Sequence, residues 1–205
     1  MSHAGEIQVY DEVLKFWFGR VEETIVPTEH RARIWFAEDE ETDQEIKSRF
    51  NELLKSAIAG KLAPWEETSR GQLASIIILD QFSRHIYRAT EKAFSQDLYA
   101  LSICLKGMQV EADHSLSLIE RVFYYFPLLH SEKLSDQERS VRAYRTLVDL
   151  AFSETRVIFD SFLKFANHHY TIIQRFGRFP QRNKSLNRES SKSEITFLKE
   201  IEAHH

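Results

Sequence analysis

Cysteine is almost missing from this chain, at one residue in 205. That excludes a disulfide framework and a cysteine-rich zinc site, and it fits a reducing compartment. Glycine and proline are scarce too, at 6 and 4, well under half of the average share of about 12%. Few turns and hence few strands are expected. Positive charge is not in excess either: 27 Lys and Arg against 31 Asp and Glu leave a formal net charge of −4, so nucleic acid is not the expected partner. The longest mostly apolar stretch, Val122 to Leu129, contains two tyrosines and a proline in its eight residues, whereas a bilayer span needs about 20. The first dozen residues carry acids and hold no apolar core of signal-peptide length. A cytoplasmic protein with no membrane span is therefore expected.

What is present is the composition of a folding chain, with 42% hydrophobic and 28% charged residues. The length suits one domain over residues 1–205. Hydrophobic spacing reads helix almost throughout. Val9, Val13, Phe16 and Trp17 mark a first helix that Gly19 can end, and Ile34, Trp35 and Phe36 a short second one after Pro27. Thr42-x-x-Glu45, Ser69-x-x-Gln72 and Ser135-x-x-Glu138 read as capping boxes, each opening a helix. The second leads into Leu73 to Tyr87, where Ile76-Ile77-Ile78-Leu79 point in every direction around the axis and predict a buried central helix. Thr90 is the expected cap of a helix bearing Phe94, Leu98, Leu101, Leu105 and Met108. Leu116 to Leu129 forms another, kinked or ended near Pro127. Helices over Arg156 to Phe176 and from about Ser193 to Leu198 complete the chain, and residues 183–192 are the most polar and the expected mobile segment. No stretch alternates as a strand would. Phe82 and Phe126 each end an apolar helix at an offset of about 44 residues, a weak sign of stacked helix hairpins.

Three places could carry chemistry. On the central helix, Asp80, Arg84 and Arg88 recur at i, i+4 and i+8 beside Gln81 and are expected to share one side. They read either as a buried ion-pair lock or as an arginine-lined pocket floor. On the Arg156 to Phe176 helix, His169 falls where a core residue belongs, as a satisfied core group or a proton-transfer group reaching inward. The following corner, Arg175-Phe176-Gly177-Arg178-Phe179-Pro180-Gln181-Arg182-Asn183, disposes three guanidinium forks around a turn stiffened by Pro180. Such forks suit carboxylate or phosphate, provided the arginines outnumber their local acids. Those acids include Glu120, Glu132, Asp136 and Glu138, with His130 and Glu132 sharing one loop. A histidine and a carboxylate in reach of a substrate suffice for acid-base work. His-Glu-x-x-His, a glycine-rich phosphate loop and Gly-x-Ser-x-Gly are all absent, so no metal and no cofactor are expected.

The same segments resemble a known family. Leu79-Asp80-Gln81-Phe82 with Arg84, Ile86-Tyr87-Arg88 and Ala93-Phe94 come first, then Tyr125-Phe126-Pro127-Leu128 through His130-Ser131-Glu132. Asp136-Gln137-Glu138-Arg139-Ser140-Val141 and Arg175-Phe176-Gly177-Arg178-Phe179-Pro180 with Arg182-Asn183 follow, and Val13-Leu14-x-Phe16-Trp17-Phe18-Gly19 fits at the amino end. Together, over roughly residues 10 to 200, they resemble the family known as domain of unknown function 924. The resemblance implies an all-α, tetratricopeptide-like right-handed array of antiparallel helices, about eight or nine of them, and no reaction. The chain departs from the pattern at Ser83 (proline is usual), His85 (asparagine), Gln181 (histidine) and Asn187 (glycine).

Three functional readings stay open. In the first, a binding module holds an anionic small molecule or a peptide carboxylate with Gln81, Arg84, Arg88, Tyr125, Arg175, Arg178, Arg182 and Asn183 beside His169. The second is a hydrolase-type enzyme with His130 or His169 as base, Asp80 or Glu132 orienting it and arginines stabilising charge. In the third, the polar cluster only locks the packing. The sequence leaves the oligomeric state open.

Overall fold

The computed structural model describes residues 9–19, 29–36 and 39–203. The amino-terminal segment, Pro27 and the closing His204 and His205 lie outside them. Among the described residues there are helices and turns and no strand. Helices α1 (Val9–Phe18), α2 (Glu29–Phe36) and α3 (Glu40–Ile58) come first. Then α4 (Ser69–Ile76) runs through a π-helical stretch, Ile77–Phe82, into α5 (Ser83–Ile86). Next are α6 (Asp97–Gln109), α7 (Leu118–Tyr124), α8 (Phe126–His130), α9 (Leu134–Leu150), α10 (Arg156–Phe176) and α11 (Lys192–Glu202). No helix among the described residues is long and apolar enough to cross a membrane.

The central segment is as buried as its isoleucine run predicts: every residue from Leu73 to Ser83 is at most 5% exposed. Around it aromatic rings form a continuous chain. Phe82 stacks on Phe50, Trp17 meets Phe82 and Phe123 edge-on, and Phe123 stacks on Phe126 and lies against Trp35. Each such ring removes about 150–250 Å² from water, which ties α1, α2, α3, α7 and α8 to one core. A smaller cluster of Ile172, Ile173 and Phe179, with Phe176 and Phe197, joins α10 to α11.

Several helix starts differ from the sequence expectation. Asp39, not Thr42, caps α3, accepting the Thr42 N–H at 3.1 Å. Thr68, one residue before Ser69, caps α4. Ser135 caps nothing, because α9 already begins at Leu134 after Lys133. Complete capping boxes occur instead at Ser117 with Glu120 and at Ser191 with Glu194. Thr90 precedes a single 3-10 turn, Glu91–Phe94, and the helix proper waits until Asp97. Pro127 divides Leu116 to Leu129 as expected, since Tyr125 ends α7 and Pro127 sits in the first turn of α8, where its missing N–H leaves no bond unmade. Within the polar segment 183–192, Arg188 grips Glu132 at 2.7 and 3.1 Å, and Asn183 bonds Ser190 at 3.0 Å.

Candidate active site

The π-helical stretch is where local geometry and chemistry meet. Its wider turn displaces the residues that follow from ordinary helical register, and such turns recur at functional sites. Here it carries Asp80 and Gln81, buried at 0% and 5% exposure in the middle of the protein. A carboxylate at that depth must be fully partnered. Gln81 Nε2 donates to it, the Arg84 guanidinium stands 3.6 Å away, and His130 Nδ1 lies 2.7 and 2.9 Å from its two oxygens. Burial alone would raise the Asp80 carboxyl; His130, Arg84 and Gln81 more than offset that and hold it below the usual carboxylate range.

His130 reaches Asp80 from the last residue of α8. That helix end is fixed by α9, whose buried Gln137 donates to the carbonyls of Leu128, Leu129 and Ser131 at 3.2, 2.8 and 2.7 Å. The His130 carbonyl itself accepts from Arg182 Nη2 at 3.0 Å. These bonds satisfy the carbonyls that every helix terminus leaves over, and they hold the imidazole in place. Burial, then the Arg84 charge, push the His130 imidazole below its usual value against the pull of Asp80. Nδ1–H then donates to Asp80, and Nε2 carries the lone pair. Among the described residues Nε2 has no protein partner, and His130 lines an open cleft of about 510 Å³.

The cleft wall is partly apolar, with Phe94, Leu98, Leu101, Pro127 and Leu186. Its polar side includes Asp97, Arg182, Glu132 and Lys133, with Glu91 and Lys92. Asp97 accepts two bonds from Arg84, at 3.0 and 3.1 Å, and one from Arg182, at 3.1 Å. Arg182 is sandwiched between the Phe94 and Phe179 rings, 4.8 and 4.7 Å from their centroids. Burial and the Arg84 charge lower it to about 10, so it stays cationic at neutral pH. Asp97 escapes sequence reading because its arginine partners come from remote parts of the chain; its place in the first turn of α6 is the one local signal.

Of the residues expected from sequence to act together, the structure assembles Asp80, Gln81, Arg84, His130 and Arg182. It places the others elsewhere. Arg88 does not continue the Asp80 and Arg84 row, because the helix ends at Ile86 and Tyr87 leaves helical geometry. Arg88 and His85 instead hold Asp43. Arg178 pairs with Glu194 at 2.7 and 2.9 Å. Arg175 is exposed and lies over the Phe176 and Phe197 rings. Asn183 is buried in its own loop, accepting from Arg188 at 3.0 Å. Glu132 takes the Phe179 N–H at 2.8 Å as well as Arg188, so both of its oxygens are committed to the corner. Tyr125 lines a different groove, with Arg121 and Asp113. His169 packs on Phe165 and Phe179 and bonds the Phe165 carbonyl at 3.0 Å; burial pushes it down to about 3. The acids that line the cleft therefore match its basic groups: Glu91, Asp97 and Glu132 stand against Lys92, Lys133 and Arg182, and behind them Asp80 faces Arg84. Among the described residues no group of three or more His, Cys, Asp or Glu is placed to hold a metal ion.

Known proteins agree with this architecture and are silent on chemistry. The sequence model of a bacterial protein family of unknown function, DUF924, matches residues 13–202. A solved structure of a protein of unknown function from Agrobacterium tumefaciens is similar, with a TM-score of 0.77 and 28% identity over 93% of this chain and 97% of that one. No curated protein matches the chain.

Proposed function

We propose a function from the premise that the chain belongs to the bacterial DUF924 family of unknown function: it is a hydrolase-type enzyme whose general base is His130. The observation that carries this reading is one imidazole with Nδ1 fixed 2.7 Å from a fully buried carboxylate, on a residue that lines a cleft of about 510 Å³. Asp80 sets the tautomer and balances the imidazolium that forms when Nε2 takes a proton. The neighbouring serines are engaged as donors, Ser131 to Asp136 and Ser95 to the Lys92 carbonyl, which favours water over a side-chain nucleophile. His130 removes a proton from that water as it attacks and returns it to the leaving group. Arg182 and Lys133 stand on the same wall to meet developing negative charge. Phe94, Leu98, Leu101, Pro127 and Leu186 suit a small substrate with an apolar part.

The anion-binding reading is weaker at this cleft, because the acids there balance the basic groups. The tetratricopeptide-like arrangement remains our reading of the helix array, supported by the hairpin that α9 and α10 make over their length. The free, buried Cys104 supports a cytoplasmic location. A panel of small esters, amides and phosphoesters tests the activity. His130→Ala should lower turnover by about 10²–10⁴-fold, with unchanged circular dichroism, and His169→Ala should leave it intact. Full activity in the His130→Ala protein would overturn the assignment.

A further inference from the structure

Positive charge is left over in a second groove. It lies where the 3-10 turn Ala112–Ser115 and α7 meet α9, has a volume of about 270 Å³, and is lined by Asp113, Arg121, Tyr125, Arg139 and Arg142 among others. Its floor is rigid. The Arg121 side chain is 8% exposed, and its Nε and Nη2 donate to the Tyr125 hydroxyl at 3.1 and 3.0 Å. That hydroxyl donates in turn to Asp113, whose carboxylate stands 3.5 Å from Arg121 Nη2. The fork is thus held by one edge, and among the described residues Nη1 has no partner.

Above this floor α9 supplies Arg139 and Arg142, one turn apart. Both are exposed, and among the described residues neither has a carboxylate within 4 Å. Three guanidinium groups therefore face one lining carboxylate, that of Asp113, which Arg121 and Tyr125 already occupy. His114 adds an imidazole, with Asp113 and Glu111 each 3.9 Å away. The Thr146 hydroxyl is turned back to the Arg142 carbonyl at 3.1 Å. We propose that this groove binds a phosphoryl group, free or as a small monoester. Planar guanidinium forks match its oxygens, and a surplus of two charges suits a dianion better than a carboxylate. A preorganised Arg121 lowers the entropy lost on binding.

The test is calorimetric titration of the full chain with inorganic phosphate at low ionic strength, repeated with phenyl phosphate and with sodium chloride at matched ionic strength. Saturable phosphate binding is expected, weakened tenfold or more in the Arg139→Ala/Arg142→Ala protein and unchanged in Arg145→Ala, an exposed arginine of α9 outside the groove lining. His130→Ala should also bind phosphate normally, which separates this groove from the proposed active site. Tighter binding of phenyl phosphate would identify the esterified form as the ligand, and equal binding the free ion. Equal affinity in the double variant, or no saturable signal beyond that of chloride, would overturn the proposal.

Discussion

The hydroxyl of Tyr124 occupies the space that a methyl group on Gly107 would need. Tyr124 is fully buried, and its hydroxyl donates to Gln72 Oε1 at 2.6 Å, so the bare face of α6 lets α4 and α7 close over it. In an isolated helix, glycine to alanine gains about 1 kcal/mol. Here the clash reverses the sign. Gly107→Ala should destabilise by about 2 kcal/mol, and adding Tyr124→Phe should recover part of that loss by removing the obstructing oxygen. Urea unfolding of the two single variants and the double variant measures the coupling. A Gly107→Ala protein more stable than the parent would contradict the close approach.

The Asp80 carboxylate is the other point where a small change should have a large effect. Asp80→Asn keeps the size of the side chain but removes the charge that faces Arg84 and His130 inside the core. Breaking a buried ionic cluster on one side costs about 3–5 kcal/mol. The Asp97 carboxylate still holds Arg84 through two bonds, so a loss nearer the lower figure is expected. The variant should also free the imidazole to turn, and nuclear magnetic resonance of the His130 ring reads that directly. If its tautomer and titration match those of the parent, Asp80 does not orient it.

How far such features can be read in advance differs from residue to residue. The helices were legible because their apolar spacing is a local property, and the burial of the isoleucine run followed from its lack of a polar face. Cap positions were less so. Asp39 sits in the acidic run Asp39-Glu40-Glu41 and its oxygen bonds Thr42, the very residue whose own pattern suggested a cap. At Ser135, the helix start is set instead by the fit of Gln137 against the α8 carbonyls. The π-helical turn has no marker in the residues Ile77–Phe82 that form it. Ion-pair partners were illegible as well: Arg88 finds Asp43 and Arg182 finds Asp97 through the tertiary fold. Asp80 and His130 could each be singled out from sequence; that they touch could not.

Three imidazoles give the protein a defined pH response. Burial pushes His85 down against the pull of Asp43, with Arg88 adding to the depression. His130 is lowered by burial and Arg84, and His169 falls to about 3 through burial, with smaller contributions from His130, His168 and Arg182. In the unfolded chain each returns to an ordinary value near 6.5. Below that value the unfolded state binds protons that the folded state refuses, so stability is full above it and is lost as pH falls toward the folded values. The carboxylates held low, Asp43, Asp80 and Glu132 among them, act in the same direction but at lower pH, because their unfolded values are 3.8 to 4.5. Between about pH 7 and about pH 5 the slope therefore belongs to the histidines, at most about 1.4 kcal/mol per pH unit for each. Urea midpoints across that range should fall steadily with pH. His169→Phe removes one titrating group while keeping a ring against Phe165 and Phe179, so its slope should be shallower; a midpoint that stays flat in the parent would mean that the imidazoles are not held neutral by the fold.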